Sequence, residues 1–214
     1  MNLPIAEACF IDANIIFYIH DMNQHSFPDI IEKVYEKVII HPKVLEELGP
    51  AGQAFARNKI DLEKWTLFDD SQLTTTERRM YLNNIADIDN KLKEIDIRRG
   101  KVGSAGTGEI YSLAAASVIH AEYICSNDYS IQDVIQELPL KVYPNGDDEQ
   151  DPEFIKQHRF LDLCRIICDG ELLERNHVYR CYKTALRSIK LEDREHFNEL
   201  LEQFHAAIPV PTLS

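Results

Sequence analysis

No apolar run in this 214-residue chain approaches the roughly 18 residues that a membrane-spanning helix needs. The N-terminal stretch lacks a basic region, and Glu7 and Asp12 interrupt it, so no secretory signal peptide is expected. Positive charge is scarce: 23 Lys and Arg stand against 36 Asp and Glu, a formal net charge of −13. A protein that coats polyanions through its overall field carries the opposite sign. An enzyme whose carboxylates hold cations, which then meet phosphate, remains compatible with this charge. Cysteine is sparse too. The five thiols are an odd number without a dense framework, and Cys9 and Cys125 sit in apolar runs, so a reduced, cytoplasmic setting is expected. There is no internal repeat and no low-complexity segment.

What is present supports a folded core: 44% of residues are hydrophobic and 28% charged. Short β-branched or aromatic runs recur at Ala8–Ile11, Lys37–Ile40, Trp65–Phe68, Tyr123–Ser126 and Leu140–Tyr143. Helical patterns separate them at Asp29–Glu36, Pro42–Leu48, Thr74–Arg98, Glu109–His120 and Ser130–Glu137. Thr74-Thr75-Thr76-Glu77 matches a capping box that opens the longest of these. Strand and helix in alternation imply an α/β fold, with a parallel sheet covered by helices on both faces. Functional sites in such sheets lie outside the carboxyl ends of the strands.

Acidic residues stand at those ends. Asp12 follows the first run, Asp128 follows the fourth, Glu46 and Glu47 lie on the helix after the second, and Glu109 opens the helix leading into the fourth. Each has a plain structural explanation. Asp12 and Asp128 can cap helices, Glu109 gains from a helix dipole, and Glu46 and Glu47 can form a solvated face. Converging carboxylates are different. Two at about 5 Å repel by roughly 3 kcal/mol at an effective dielectric near 20, so a cluster needs a cation or raised pKa values. Hard oxygen ligands indicate Mg²⁺ or Mn²⁺.

Four segments together resemble the PIN domain nucleases: Cys9-Phe10-Ile11-Asp12-Ala13-Asn14, Val44-Leu45-Glu46-Glu47-Leu48, Gly108-Glu109-Ile110-Tyr111, and Cys125-Ser126-Asn127-Asp128-Tyr129. The resemblance covers residues 5–144. It implies a three-layer fold on a parallel five-stranded sheet. It also implies a metal-dependent endoribonuclease in which Asp12, Glu47, Glu109 and Asp128 are catalytic and hold Mg²⁺ or Mn²⁺. Asn14, Asn127 and Asp133 are candidates for support. The implied reaction is in-line attack of water on single-stranded RNA, with no Lys or His base. His20 and His25 read as surface or loop residues. Small members of the family often act as toxins held by an inhibitory protein, so a toxin–antitoxin role, such a partner and a homodimer are candidates here. The rival reading is a non-cleaving PIN-like module that binds RNA or protein.

Other phosphate chemistries fit less well. A dehalogenase-type phosphatase needs a second Asp where Asn14 stands. A P-loop needs a Gly-rich turn ending in Lys-Ser or Lys-Thr, whereas Gly100–Gly108 ends in Glu109 and reads as a flexible connection.

The acidic run 145–151 reads as a linker, and Asp151-Pro152-Glu153 as a helix start. The expected division is a nuclease domain at 1–151 and a C-terminal α-helical extension at 152–214. Residues 1–151 hold 26 acids and 14 bases, against 10 and 9 in the remainder. Three helices are expected in the extension, at roughly 153–168, 171–190 and 192–206. Val178, Cys181, Ala185 and Ile189 make an apolar stripe there. Arg180, Lys183, Arg187 and Lys190 make a basic one, read as a solvated face or as an RNA-phosphate contact beside the acidic pocket. Arg98, Arg99 and Lys101 are the other basic candidates. Cys164, Cys168, His177 and Cys181 could offer four zinc ligands if two helices face each other; buried thiols are the plainer reading.

Overall fold

The computed structural model describes residues 6–21, 27–100 and 106–210. His25, Lys101 and part of the glycine-rich connection lie outside the described residues. The chain begins with β1 (Ala6–Ile11), α1 (Ala13–Asp21), α2 (Phe27–Val34), β2 (Tyr35–Ile40), α3 (Pro42–Glu47), α4 (Pro50–Asp61) and β3 (Trp65–Leu67). It continues through α5 (Thr75–Arg98), α6 (Thr107–Val118), β4 (Tyr123–Cys125), α7 (Ser130–Glu137), β5 (Lys141–Val142), β6 (Glu153–Phe154) and β7 (Lys156–His158). It closes with α8 (Phe160–Asp169), α9 (Arg175–Ala185), α10 (Arg187–Glu192) and α11 (Arg194–Ala207).

The fold is α/β. Five strands in the order β3-β2-β1-β4-β7 form one sheet in which every pair is parallel. β1 lies at its centre, with Phe10 opposite Ile39 and Ile11 opposite Cys125. Its apolar run is continuous because both faces are covered. Cys9 and Ile11 enter one core with α1, α2 and the C-terminal helices. Phe10 enters the other with α5, α6 and α7. In α6, Ala114, Ala115 and Ala116 are fully buried, which lets this helix lie close against the sheet and α5.

The capping box forms as read: the Thr74 N–H donates to Glu77 Oε2 at 2.7 Å, and the Glu77 N–H donates to Thr74 Oγ1 at 3.3 Å. Two expectations are corrected. The Leu140–Tyr143 run does not supply a strand of the main sheet. Its strand, β5, pairs antiparallel with β6 instead. The main sheet's remaining edge strand is β7, in a stretch read as helix, so helix begins only at Phe160. The composition Lys156-Gln157-His158 carries no apolar signal, and its identity as strand comes from pairing with β4. The second helix of the extension is also broken: α9 ends at Ala185, and Leu186 separates it from α10.

Residues beyond 151 therefore complete the sheet and one of its cores. Leu163, Cys164 and Ile167 of α8, Val178 and Cys181 of α9 and Phe204 of α11 are buried in the cluster that holds Ile15 and Ile16 of α1. No helix among the described residues is long and apolar enough to cross a membrane.

Candidate functional site

β1 ends at Ile11, and Asp12 projects from its carboxyl end, where the Asp12 N–H still donates to the Cys125 carbonyl at 2.9 Å. The side chain is 1% exposed, and its Oδ1 is buried without a hydrogen-bond partner. Glu109 arrives on the first turn of α6 and is also buried. Glu47 comes from the last turn of α3 and is open to solvent. One ligand oxygen from each of Asp12, Glu47 and Glu109 lies within 4.8 Å of the others.

Glycine makes this approach possible. The Gly108 N–H donates to Glu47 Oε1 at 2.6 Å. A Cβ on Gly108 would stand 2.9 Å from both Glu47 Oε2 and Val44 Cγ2, and one on Gly106 would stand 2.5 Å from Glu109 Oε2. The described end of the glycine-rich stretch, Gly106 to Gly108, is thus a tight carboxylate contact at a helix N-terminus, while residues 101–105 of the connection lie outside the described residues.

The electrostatics are unfavourable for an isolated protein. Burial, followed by the Asp12 charge and hydrogen bond and then Glu47 and Asp128, pushes the Glu109 carboxyl up to about 9. Burial pushes Asp12 up to about 6, against a hydrogen bond from Glu109 and the N–H groups of Ala13 and Asn14. Asp12 and Glu109 therefore hold a proton between them near neutral pH. Three oxygen-donor groups, an orphaned buried oxygen and mutual repulsion fit a hard divalent cation such as Mg²⁺ or Mn²⁺. Among the described residues, no other group of His, Cys, Asp and Glu converges in this way.

The neighbouring residues fix the carboxylates. Asn14 Nδ2 donates to Glu109 Oε1 at 3.3 Å and to Ser126 Oγ at 3.4 Å, while Asn14 Oδ1 accepts the Asn127 N–H at 3.2 Å. Asn127 Oδ1 in turn accepts the Phe160 N–H that starts α8. Asp128 stands outside the three-oxygen group. Its Oδ1 caps α7 by accepting the Ser130 N–H at 2.7 Å, while its charge still acts on Glu109. Asp133 pairs with Arg99 at 2.6 Å, and Arg98 pairs with Glu137. Glu46 pairs with Lys43 on the surface, which separates it from Glu47. His20 packs edge-on against Phe55.

Two supports had no sequence signal. Ser126 is fully buried, and its Oγ accepts the Asp128 N–H. Gln157 of β7 donates from Nε2 to the carbonyls of Ser126 and Asp128, each at 2.7 Å. Both act on a loop whose partner strand was read as helix. A polar residue in that strand becomes visible only once the pairing is known.

Arg180, Lys183, Arg187 and Lys190 are exposed, on the side of α9 and α10 away from buried Val178, Cys181 and Ala185. Lys183 lies over the Tyr179 ring and Lys190 over Phe197. Cys164, Cys168, His177 and Cys181 do not converge as a ligand set, which corrects the zinc alternative. Cys164 and Cys181 are fully buried in the apolar core, and burial pushes both thiols up, so they stay protonated.

The chain matches no protein-family model, no curated protein and no solved structure.

Proposed function

We propose that this chain is a divalent-metal-dependent endoribonuclease of the PIN type, hydrolysing phosphodiester bonds of single-stranded RNA. The supporting observation is the meeting of Asp12, Glu47 and Glu109 at the carboxyl edge of a parallel sheet, with Asp12 Oδ1 buried and unpartnered. These three residues would hold Mg²⁺ or Mn²⁺, with Asp128 beside them. When bound, the ion supplies Lewis acidity toward the phosphodiester and toward water.

The protein's own contribution is positioning. The Gly108 N–H holds Glu47 against the start of α6, and Asn14 ties Glu109 to the Ser126–Asp128 loop. Glu109, whose carboxyl burial and its acidic neighbours push up to about 9, would have to give up its proton to hold a cation, so ion binding would be favoured by rising pH.

The test is cleavage of single-stranded RNA with Mg²⁺ or Mn²⁺ by the wild type and by Asp12→Asn. Cleavage by the wild type alone supports the reading. Equal cleavage by the variant places the activity elsewhere. RNA binding without any cleavage leaves the non-cleaving module.

A further inference from the structure

Next to the carboxylates lies a cavity of about 350 Å³ between the Asn127–Tyr129 loop and the C-terminal helices. Its volume falls within the roughly 300–1,000 Å³ usual for small-ligand sites. Four aromatic rings stand in its wall: Tyr18 of α1, Phe160 of α8, Tyr182 of α9 and Tyr129 after β4. Phe160 and Tyr182 are stacked with their planes 5° apart. Tyr129 is 55% exposed, and the Arg159 guanidinium lies 4.3 Å from its ring centroid. Arg159 forms no ion pair with any described residue. The carboxylate on the wall, Asp162, accepts the Arg159 backbone N–H at 3.0 Å.

The cavity and the carboxylates share a wall. Asn127 lines the cavity, and its N–H reaches the Asn14 amide that bonds Glu109. Asn127 and Tyr129 flank Asp128 in sequence and both line the cavity. A phosphodiester held at the carboxylates would bring its adjoining nucleotide to this opening.

We propose that this cavity is a nucleobase subsite for the nucleotide next to the scissile phosphate, an inference that rests on the endoribonuclease reading. Tyr129 and Arg159 form the stacking platform at the mouth, and Asn127 and the Tyr18 phenol on the wall offer polar groups to a base edge. The Arg159 guanidinium supplies positive charge that the first 151 residues lack overall. A stacked, unpaired base makes single-stranded RNA the substrate class, because a base held in a duplex cannot enter.

The test uses the full chain with Ca²⁺ in place of Mg²⁺. Oligoribonucleotides of about eight nucleotides, within the usual span of 4–16, each carry one 2-aminopurine at a different position. The scissile bond is mapped separately with Mg²⁺. Quenching of 2-aminopurine at one position, adjoining the mapped bond, is the expected result. Tyr129→Leu and Arg159→Gln should each weaken that binding by about 10-fold, with helical circular dichroism and thermal midpoint retained. Uniform or absent quenching with cleavage intact overturns the subsite and leaves the nuclease standing. Quenching at one position that both variants retain also overturns it. Quenching at one position, lost in the variants, without cleavage under Mg²⁺ or Mn²⁺ overturns the cleavage reading and with it the placement of the subsite beside a scissile phosphate.

Discussion

Two buried polar clusters of opposite character lie in the main sheet and at its carboxyl edge. Within the sheet, Cys9 Sγ lies 3.3 Å from Cys125 Sγ, and the Tyr35 hydroxyl sits 3.1 Å from Cys125 Sγ and 2.6 Å from His158 Nδ1. This group is neutral and partnered: burial pushes the Cys9 thiol and the Tyr35 phenol up and His158 down to about 4. Just past the strand ends, Asp12 and Glu109 are buried as carboxyls, repel each other's charge and leave an oxygen unsatisfied. The sheet thus holds one cluster that packing alone explains, and its carboxyl edge one that packing does not. Local frustration in an otherwise consistent fold is where function is expected.

The comparison breaks most sharply at Asp12. Asp12→Asn should lower cleavage by more than about 100-fold, beyond the 10–100-fold typical of residues that only orient ligands. Without divalent ion, its thermal midpoint should hold or rise, because one repelling charge is gone. A lower midpoint together with wild-type cleavage would make Asp12 an ordinary helix cap.

Asn14→Ala sharpens the same point one layer out. It removes the amide that ties Glu109 to the Asn127 N–H. A loss of about 10–100-fold in activity or metal affinity is expected, measurable by cleavage rate and by Mn²⁺ titration. An unchanged Mn²⁺ affinity and rate would remove Asn14 from the site.

Acidity separates the clusters by sign. Glu109 keeps its proton to about pH 9 in the folded protein, against 4.5 as its ordinary value. Between these limits the folded state binds more protons than the unfolded one. Metal-free stability should therefore fall as pH rises, by up to about 1.4 kcal/mol per pH unit. His158 acts oppositely: with its pKa lowered to about 4, it costs stability as pH falls below 6.5. Urea unfolding across this range should show the alkaline fall in the wild type and a flatter profile in Glu109→Gln.

The smallest effect belongs to the neutral cluster. Tyr35→Phe deletes the hydroxyl bonded to His158 and should cost about 1–3 kcal/mol of unfolding free energy. Cleavage should be unaffected, since Tyr35 touches none of the carboxylates. A stability change with an equal activity change would show that the two clusters are not separable.

How much of this was legible depended on how local each signal was. The α5 cap was readable because both of its hydrogen bonds span three residues. β1 was readable because a strand covered on both faces shows an unbroken apolar run. The acids were readable as strand-end positions, and Glu47 was separated from Glu46 by a family resemblance rather than by composition. β7 was not readable, since Lys-Gln-His acquires its meaning only beside β4. The role of Gln157 was hidden with it.

By itself, then, the sequence determined the alternation of strands and helices, the central apolar strand and the acids at strand ends. These follow from side-chain period and from contacts between near neighbours along the chain. Only the tertiary structure decided which acids meet. It drew Asp12, Glu47 and Glu109 together and gave Asp128 a capping bond at their side. It made Gly106 and Gly108 close-contact positions beside Glu109 and Glu47. It also carried the C-terminal helices into the core and opened an aromatic cavity beside the carboxylates. The physical reason is that burial, orphaned oxygens and shifted proton affinities belong to groups brought together across long separations, as Asn14 is to Glu109 and Gln157 to Asp128.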